Sequence, residues 1–143
     1  MGKSNTFIND LLKLIFNGTA IPNLADNAAS SPLTNFYVAL HTADPGAAGN
    51  QTTNEISYTS YARVAVTRNS AGWTVTGQTV SPTLDVDFPI STGGAGGTAT
   101  HASIGTAASG AGKILWSGSL SPTIVVSTGV PPVLVQGSTI TET

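Results

Sequence analysis

Apolar residues recur at three- and four-residue intervals only near the start of the chain, at Phe7, Ile8, Leu11, Leu12, Leu14 and Ile15. That spacing predicts one short amphipathic helix, with Ser4, Asn5 and Thr6 as possible caps in front of it and Gly18 as its stop. The residues from Thr19 to Pro32 show no periodicity and read as a surface connection. From Thr34 onward the pattern changes to short runs and alternations bounded by Gly, Pro, Asn and Asp. Phe36 to His41 reads as the first strand, closed by the turn formers Asp44, Pro45 and Gly46. Ala62, Val64 and Val66 alternate with Arg63, Ala65 and Thr67, and Leu84, Val86 and Phe88 alternate with Asp85 and Asp87, so these strands have one buried face and one polar face. Further strands are expected at Trp73 to Val80, Thr98 to Ile104, Ile114 to Leu120, Thr123 to Val126, Val133 to Gln136 and Ser138 to Thr141.

About eight or nine short strands following one helix sum to an all-β chain, an antiparallel sandwich with a short N-terminal α-helix. The expected organisation is a helix and extended arm over residues 1–33 and a β-sandwich domain over 34–143. At 143 residues one domain buries enough surface to need no staples. The helix face of Phe7, Ile8, Leu11, Leu12 and Ile15 has two readings: a lid on the domain's own core, or an arm that packs on a neighbouring subunit. It is the candidate protein–protein interface of the chain.

Composition changes this picture in one respect. Only 12 residues are charged, whereas Ser and Thr together number 36 and Gly 16. A free-standing soluble protein draws about a quarter of its residues from Asp, Glu, Lys and Arg. A surface of hydroxyls and backbone loses its water cheaply, because burying Thr or Gly in a contact costs far less than burying an unpaired charge. The composition therefore suits a part that is assembled into something larger. Five basic residues and a formal charge of −2 argue against nucleic-acid binding, which needs clustered Lys and Arg. No apolar stretch is long enough to cross a bilayer, and Asn9, Asp10 and Lys13 interrupt the one that resembles a signal peptide, so a product without export is expected.

Candidate chemistry is sparse. The chain has no Cys, which removes thiol catalysis, disulfides and thiolate metal sites. His41 with Asp44 imitates a base and its orienting carboxylate, but the Asp-Pro-Gly context makes Asp44 a turn former, and no Gly-x-Ser-x-Gly elbow is present. His41 and His101 lack a third ligand at metal-binding spacing. Asp85 and Asp87 point to one strand face, either as a carboxylate pair or as a solvated face. Gly93 to Gly97 lacks the Lys-Ser/Thr of a phosphate loop. Tyr37, Tyr58, Tyr61, Trp73 and Trp116 are either core or a stacking platform for sugar. The inventory leads to the expectation of a non-enzymatic protein with no cofactor and no metal.

Two stretches carry a resemblance. Asn35 to Gly46, then Asn54-Glu55, then Tyr58-Thr59-Ser60-Tyr61-Ala62-Arg63-Val64, followed by His101, Ile104-Gly105 and Gly112-Lys113-Ile114-Leu115-Trp116-Ser117-Gly118, together resemble small structural proteins of tailed bacteriophages. The likeness spans roughly residues 34–140. It implies one of two roles: a tail-fibre or minor tail protein, or a capsid cement (decoration) protein with a jelly-roll sandwich, bound as a dimer outside the shell. The absence of a repeat or heptad period favours a single compact sandwich of the cement type over a slender fibre. The expected partners are then the major capsid protein and a second copy of the chain, with neither nucleic acid nor membrane. The expected location is the outer surface of the capsid, after synthesis in the host bacterial cytoplasm. A carbohydrate-binding module for host attachment remains a further alternative, with exposed Trp73 or Trp116 as its signature.

Overall fold

A computed structural model of the chain describes residues 3–21, 32–94 and 96–143. Its elements in chain order are α1 (Asn5–Asn17), β1 (Asn35–His41), β2 (Val64–Thr67), β3 (Trp73–Thr76), β4 (Thr79–Pro82), β5 (Val86–Asp87), β6 (Thr98–Gly105), β7 (Ile114–Val125), β8 (Val133–Leu134) and β9 (Ile140–Thr141). The strands form antiparallel sheets of order β2-β1-β6-β7, β3-β4-β9 and β5-β8. The fold is thus mostly β with one short N-terminal helix and is consistent with a β-sandwich, as the alternation of the sequence implies. Part of the expected 1–33 arm, residues 22–31, lies outside the described residues, as does Ala95 in the glycine-rich run.

Contacts gather the chain into two compact units: residues 1–35, 66–85 and 135–143 in one, Phe36–Ala65 with Val86–Leu134 in the other. In the first, α1 lies on β3 and β4. Ser4 caps the helix, its Oγ accepting the Phe7 N–H at 3.3 Å, and Gly18 ends it in the left-handed conformation at φ 65°, where a side chain is disfavoured. Ile8, Leu12 and Phe16, four residues apart, are the buried stripe. Phe16 meets Trp73 edge to face, with ring centroids 4.9 Å apart. Arg68 donates from its guanidinium to the carbonyls of Leu14 and Ile15, which the helix itself leaves unsatisfied near its C-terminal end.

Trp73 to Val80 is not one strand. Gly77, at φ 59°, begins the turn that folds this stretch into the β3–β4 hairpin, pairing Thr76 with Thr79 and Val75 with Val80. The reverse holds for Ile114 to Leu120 and Thr123 to Val126, which join as the single strand β7. Leu84, expected to face inward with Val86 and Phe88, is 73% exposed because strand pairing begins only at Val86.

In the second unit β1 is an interior strand. It pairs with β6 from Tyr37↔Gly105 to His41↔His101. Along its other side the chain returns through residues 54–56, where Thr42 N–H donates to Asn54 O at 2.8 Å and Ile56 N–H to Leu40 O at 2.9 Å. Enclosed on both edges, β1 is buried almost throughout (Phe36, Val38, Ala39, Leu40, His41), the run expected of a strand without a solvent face.

Candidate functional site

The most organised chemistry lies in the second unit, in the polar groups packed around β1. Arg63 is 8% exposed and makes four hydrogen bonds. Two go to Glu55 as a fork, Nε to Oε1 and Nη2 to Oε2, each 2.7 Å. The other two reach the loop between β6 and β7, from Nη1 to Ala107 O at 3.0 Å and from Nη2 to Gly110 O at 2.8 Å. Planar guanidinium geometry suits this double task, because five fixed donors serve a carboxylate on one side and carbonyls on the other. The Glu55 fork holds the Arg63 charge and raises its pKa further. Tyr61 completes the group: its hydroxyl donates to Glu55 Oε1 at 3.0 Å and accepts the Leu40 N–H at 3.2 Å. Burial raises the Tyr61 pKa far above its ordinary value. The ring of Tyr61 lies edge-on to Tyr58 and stacks on Phe88.

Gln51 secures the same loop from a second direction. It is fully buried, donates from Nε2 to Tyr37 O at 3.3 Å and accepts the Ala107 N–H at 3.0 Å, while its own N–H reaches Gly112 O at 2.9 Å. A Cβ on either Gly105 or Gly112 would overlap the Gln51 side chain, so both positions require glycine for close approach. The loop from Thr106 to Lys113 is therefore short of side chains but held by its backbone from Arg63 and Gln51.

His41, fully buried, sits between its strand neighbours with Nδ1 2.8 Å from Thr53 O and Nε2 2.7 Å from Ser103 Oγ. A carbonyl only accepts, so Nδ1 carries the proton and Nε2 accepts from the Ser103 hydroxyl. This is the contact of a base with a hydroxyl nucleophile, but Ser103 is itself 2% exposed and has no approach for a substrate. Asp44 stands apart from it: its Oδ1 accepts the Gly46 N–H at 2.8 Å, the turn role expected from Asp-Pro-Gly. His101, directly across from His41, has Nδ1 2.9 Å from Thr100 Oγ1. Sequence distance hid this register, but with both His41 nitrogens engaged the pair has no common ligand position. Among the described residues no three His, Asp or Glu side chains converge as metal ligands.

Desolvation pushes the His41 pKa below its ordinary value of 6.5, outweighing the Thr53 bond and the nearby Glu55 charge that raise it. The unfolded chain takes up this proton more readily, so the associated stability is complete above pH 6.5 and is lost as pH falls through the lower folded value. The expected result is a urea midpoint that declines from about pH 7 to about pH 5, with a shallower decline in His41→Gln. An equally steep decline in the variant would assign the effect to other groups.

The Gln51 bonds connect both stretches of the sequence that resemble phage structural proteins, reaching Tyr37 in one and Gly112 in the other. A family model described as podophage GP4 fiber I protein gp80 matches residues 2–141. The chain belongs to that family. No curated protein matches it. Membership makes this gp80-family chain a phage structural protein and a component of the virion.

The remaining candidate residues of the gp80-family chain are placed as follows. Ile8 and Leu12 are buried inside the first unit, while Phe7, Leu11 and Ile15 flank them half-buried. Asp85 and Asp87 are both exposed, and Asp85 Oδ1 accepts the Gln136 N–H at 2.7 Å. Trp73 is 2% exposed and offers no stacking face, and Tyr58 is buried with its hydroxyl donating to Pro89 O at 2.8 Å. Gly93 and Gly97 are tied by backbone bonds to Thr59 and Val126, so the ends of that run are anchored. Sequence reasoning passed over Arg63, Glu55 and Gln51 as a group. Their signal was rarity, since Arg63 is one of two arginines and Glu55 one of two glutamates.

Proposed function

We propose that this chain is a non-enzymatic fibre component of a phage virion, acting by self-association and contact with other virion proteins. The observation that carries this reading is the match over residues 2–141 to a family described as a fiber protein. Physical support comes from a surface with few charges and from loops pinned by buried bonds, since a rigid and cheaply desolvated surface loses little entropy or hydration on assembly. The polar groups of the second unit serve packing in this reading. Self-association as a homodimer, and the absence of nucleic-acid and membrane partners, belong to the same proposal.

Capsid decoration, with the major capsid protein as partner, is the second reading. The chain has no heptad or short repeat of the kind that builds a slender shaft, and this favours it. Copy number and position separate the two. Cryo-electron microscopy of intact virions, with quantitative protein staining, is expected to place a limited number of copies in fibre density. Hundreds of copies on the outer shell, near one per major capsid protein, would overturn the fibre reading in favour of decoration.

A further inference from the structure

An asparagine followed by glycine is prone to a reaction of its own, because glycine has no side chain to hinder attack by its backbone nitrogen. That nitrogen adds to the asparagine side-chain carbonyl carbon, closes a five-membered succinimide and expels ammonia. Water then opens the ring at either carbonyl and leaves aspartate or isoaspartate. The chain contains this pair once, at Asn17-Gly18. It stands where α1 ends and Gly18 takes the left-handed conformation. Among the described residues, the side chains of Asn5, Asn9, Asn35, Asn50, Asn54 and Asn69 each make a hydrogen bond. Asn17 makes none, and its Oδ1 is buried without a partner from the protein. A buried polar atom left unmatched is costly and uncommon in a stable fold. No hydrogen bond therefore restrains the reactive amide, and only the backbone holds the pair.

We propose that Asn17 is a self-modification site gated by the last turn of α1. While that turn is closed, the reaction is blocked twice. Asn17 is helical, and the nearly planar succinimide ring requires it to leave the helical ψ. The attacking Gly18 N–H is also engaged: it donates to Lys13 O, as does the Thr19 N–H at 3.1 Å. Arg68 holds the same turn from outside through the carbonyls of Leu14 and Ile15. Helix ends open at lower free energy than the core, and opening frees the Gly18 nitrogen to lose its proton and attack. One C–N bond forms to that nitrogen while the bond to Nδ2 breaks, and Nδ2 departs as ammonia with the proton. One water completes the change, with no oxidant or reductant. Neither product rebuilds the turn. Aspartate places a carboxylate at the C-terminal end of the helix, where the dipole opposes negative charge and the buried Oδ1 already lacks a donor. Isoaspartate carries the main chain through the former side chain, which adds one carbon and moves the Gly18 and Thr19 amides off Lys13 O. The modification thus converts a transient opening of the helix end into a permanent one.

The test follows the full chain over time at mildly alkaline pH, by peptide mass spectrometry with isoaspartyl methyltransferase to count isoaspartate. Asn17 should convert ahead of every other asparagine, to both products, and faster as pH rises. Conversion in the folded chain should be slower than in the urea-unfolded chain by about tenfold or more. Arg68→Lys, which gives up the planar fork on two carbonyls, should raise conversion in step with amide exchange at Gly18 and Thr19. The same proportion is expected of the wild-type chain in subdenaturing urea, which tests the gate even if Arg68→Lys fails to fold. Asn17→Gln, whose closure needs a larger ring, should remove the product. Asn17 intact after other asparagines have converted, or aspartate formed without isoaspartate, would overturn the site. Equal rates in the folded and unfolded chain, or conversion that does not follow amide exchange at Gly18 and Thr19, would overturn the gate.

Discussion

Replacing Arg63 with Met is expected to cost about 3–5 kcal/mol of stability, because it leaves the Glu55 carboxylate buried without its partner. Arg63 and Glu55 side chains are only 2% and 15% exposed, so solvent screens little of the loss. The same change releases the carbonyls of Ala107 and Gly110, and with them two of the attachments of the β6–β7 loop. Arg63→Lys restores the charge but not the fork, and its expected cost lies between Met and wild type, since one ammonium cannot reach Glu55 and both carbonyls in the same plane. The double change Glu55→Leu with Arg63→Met should recover part of the loss by removing the stranded charge. Urea unfolding of the three variants measures these costs. Equal stability of Arg63→Met and wild type would mean that the network contributes nothing to the fold. Amide exchange separates the loop effect: faster exchange at Ala107 to Gly112 in Arg63→Lys is the expected companion result.

Phe16→Ala should destabilise the first unit by about 3–5 kcal/mol. Phe16 is fully buried at the end of the Ile8, Leu12, Phe16 stripe, and its ring meets the edge of Trp73. Truncation removes both transfer energy and the aromatic contact, and leaves a cavity that helix and hairpin close only in part. Tryptophan fluorescence is a suitable reporter because Trp73 lines that space. A loss below about 1 kcal/mol would mean that α1 is dispensable to its own unit, and would return the whole helix face to the role of an arm. Leu11→Asp provides the comparison. Leu11 is half-buried, so a smaller stability loss is expected there, and any loss of assembly beyond it would locate a contact on the exposed side of the helix.

The candidate network was legible residue by residue but not as a group. Glu55, Tyr61, Arg63, Gly105 and Gly112 stand inside the segments that resemble phage structural proteins, yet nothing in their spacing says that Arg63 holds a loop more than 40 residues away. His41 and His101 show the same limit. Each was readable as a strand residue, and only the β1–β6 register sets them opposite.

By itself the sequence determined the helix with its stop at Gly18 and a cap among Ser4, Asn5 and Thr6, the alternating strands, the low-charge surface and the turn at Asp44. These follow from local rules: dihedral freedom, side-chain periodicity and the reach of a polar group to its own backbone. Tertiary structure alone decided the hairpin at Gly77, the pairing of β1 between β6 and residues 54–56, and the burial of Trp73. Those depend on which distant segment supplies the missing hydrogen bonds or the covering side chain, and no window along the chain contains that partner.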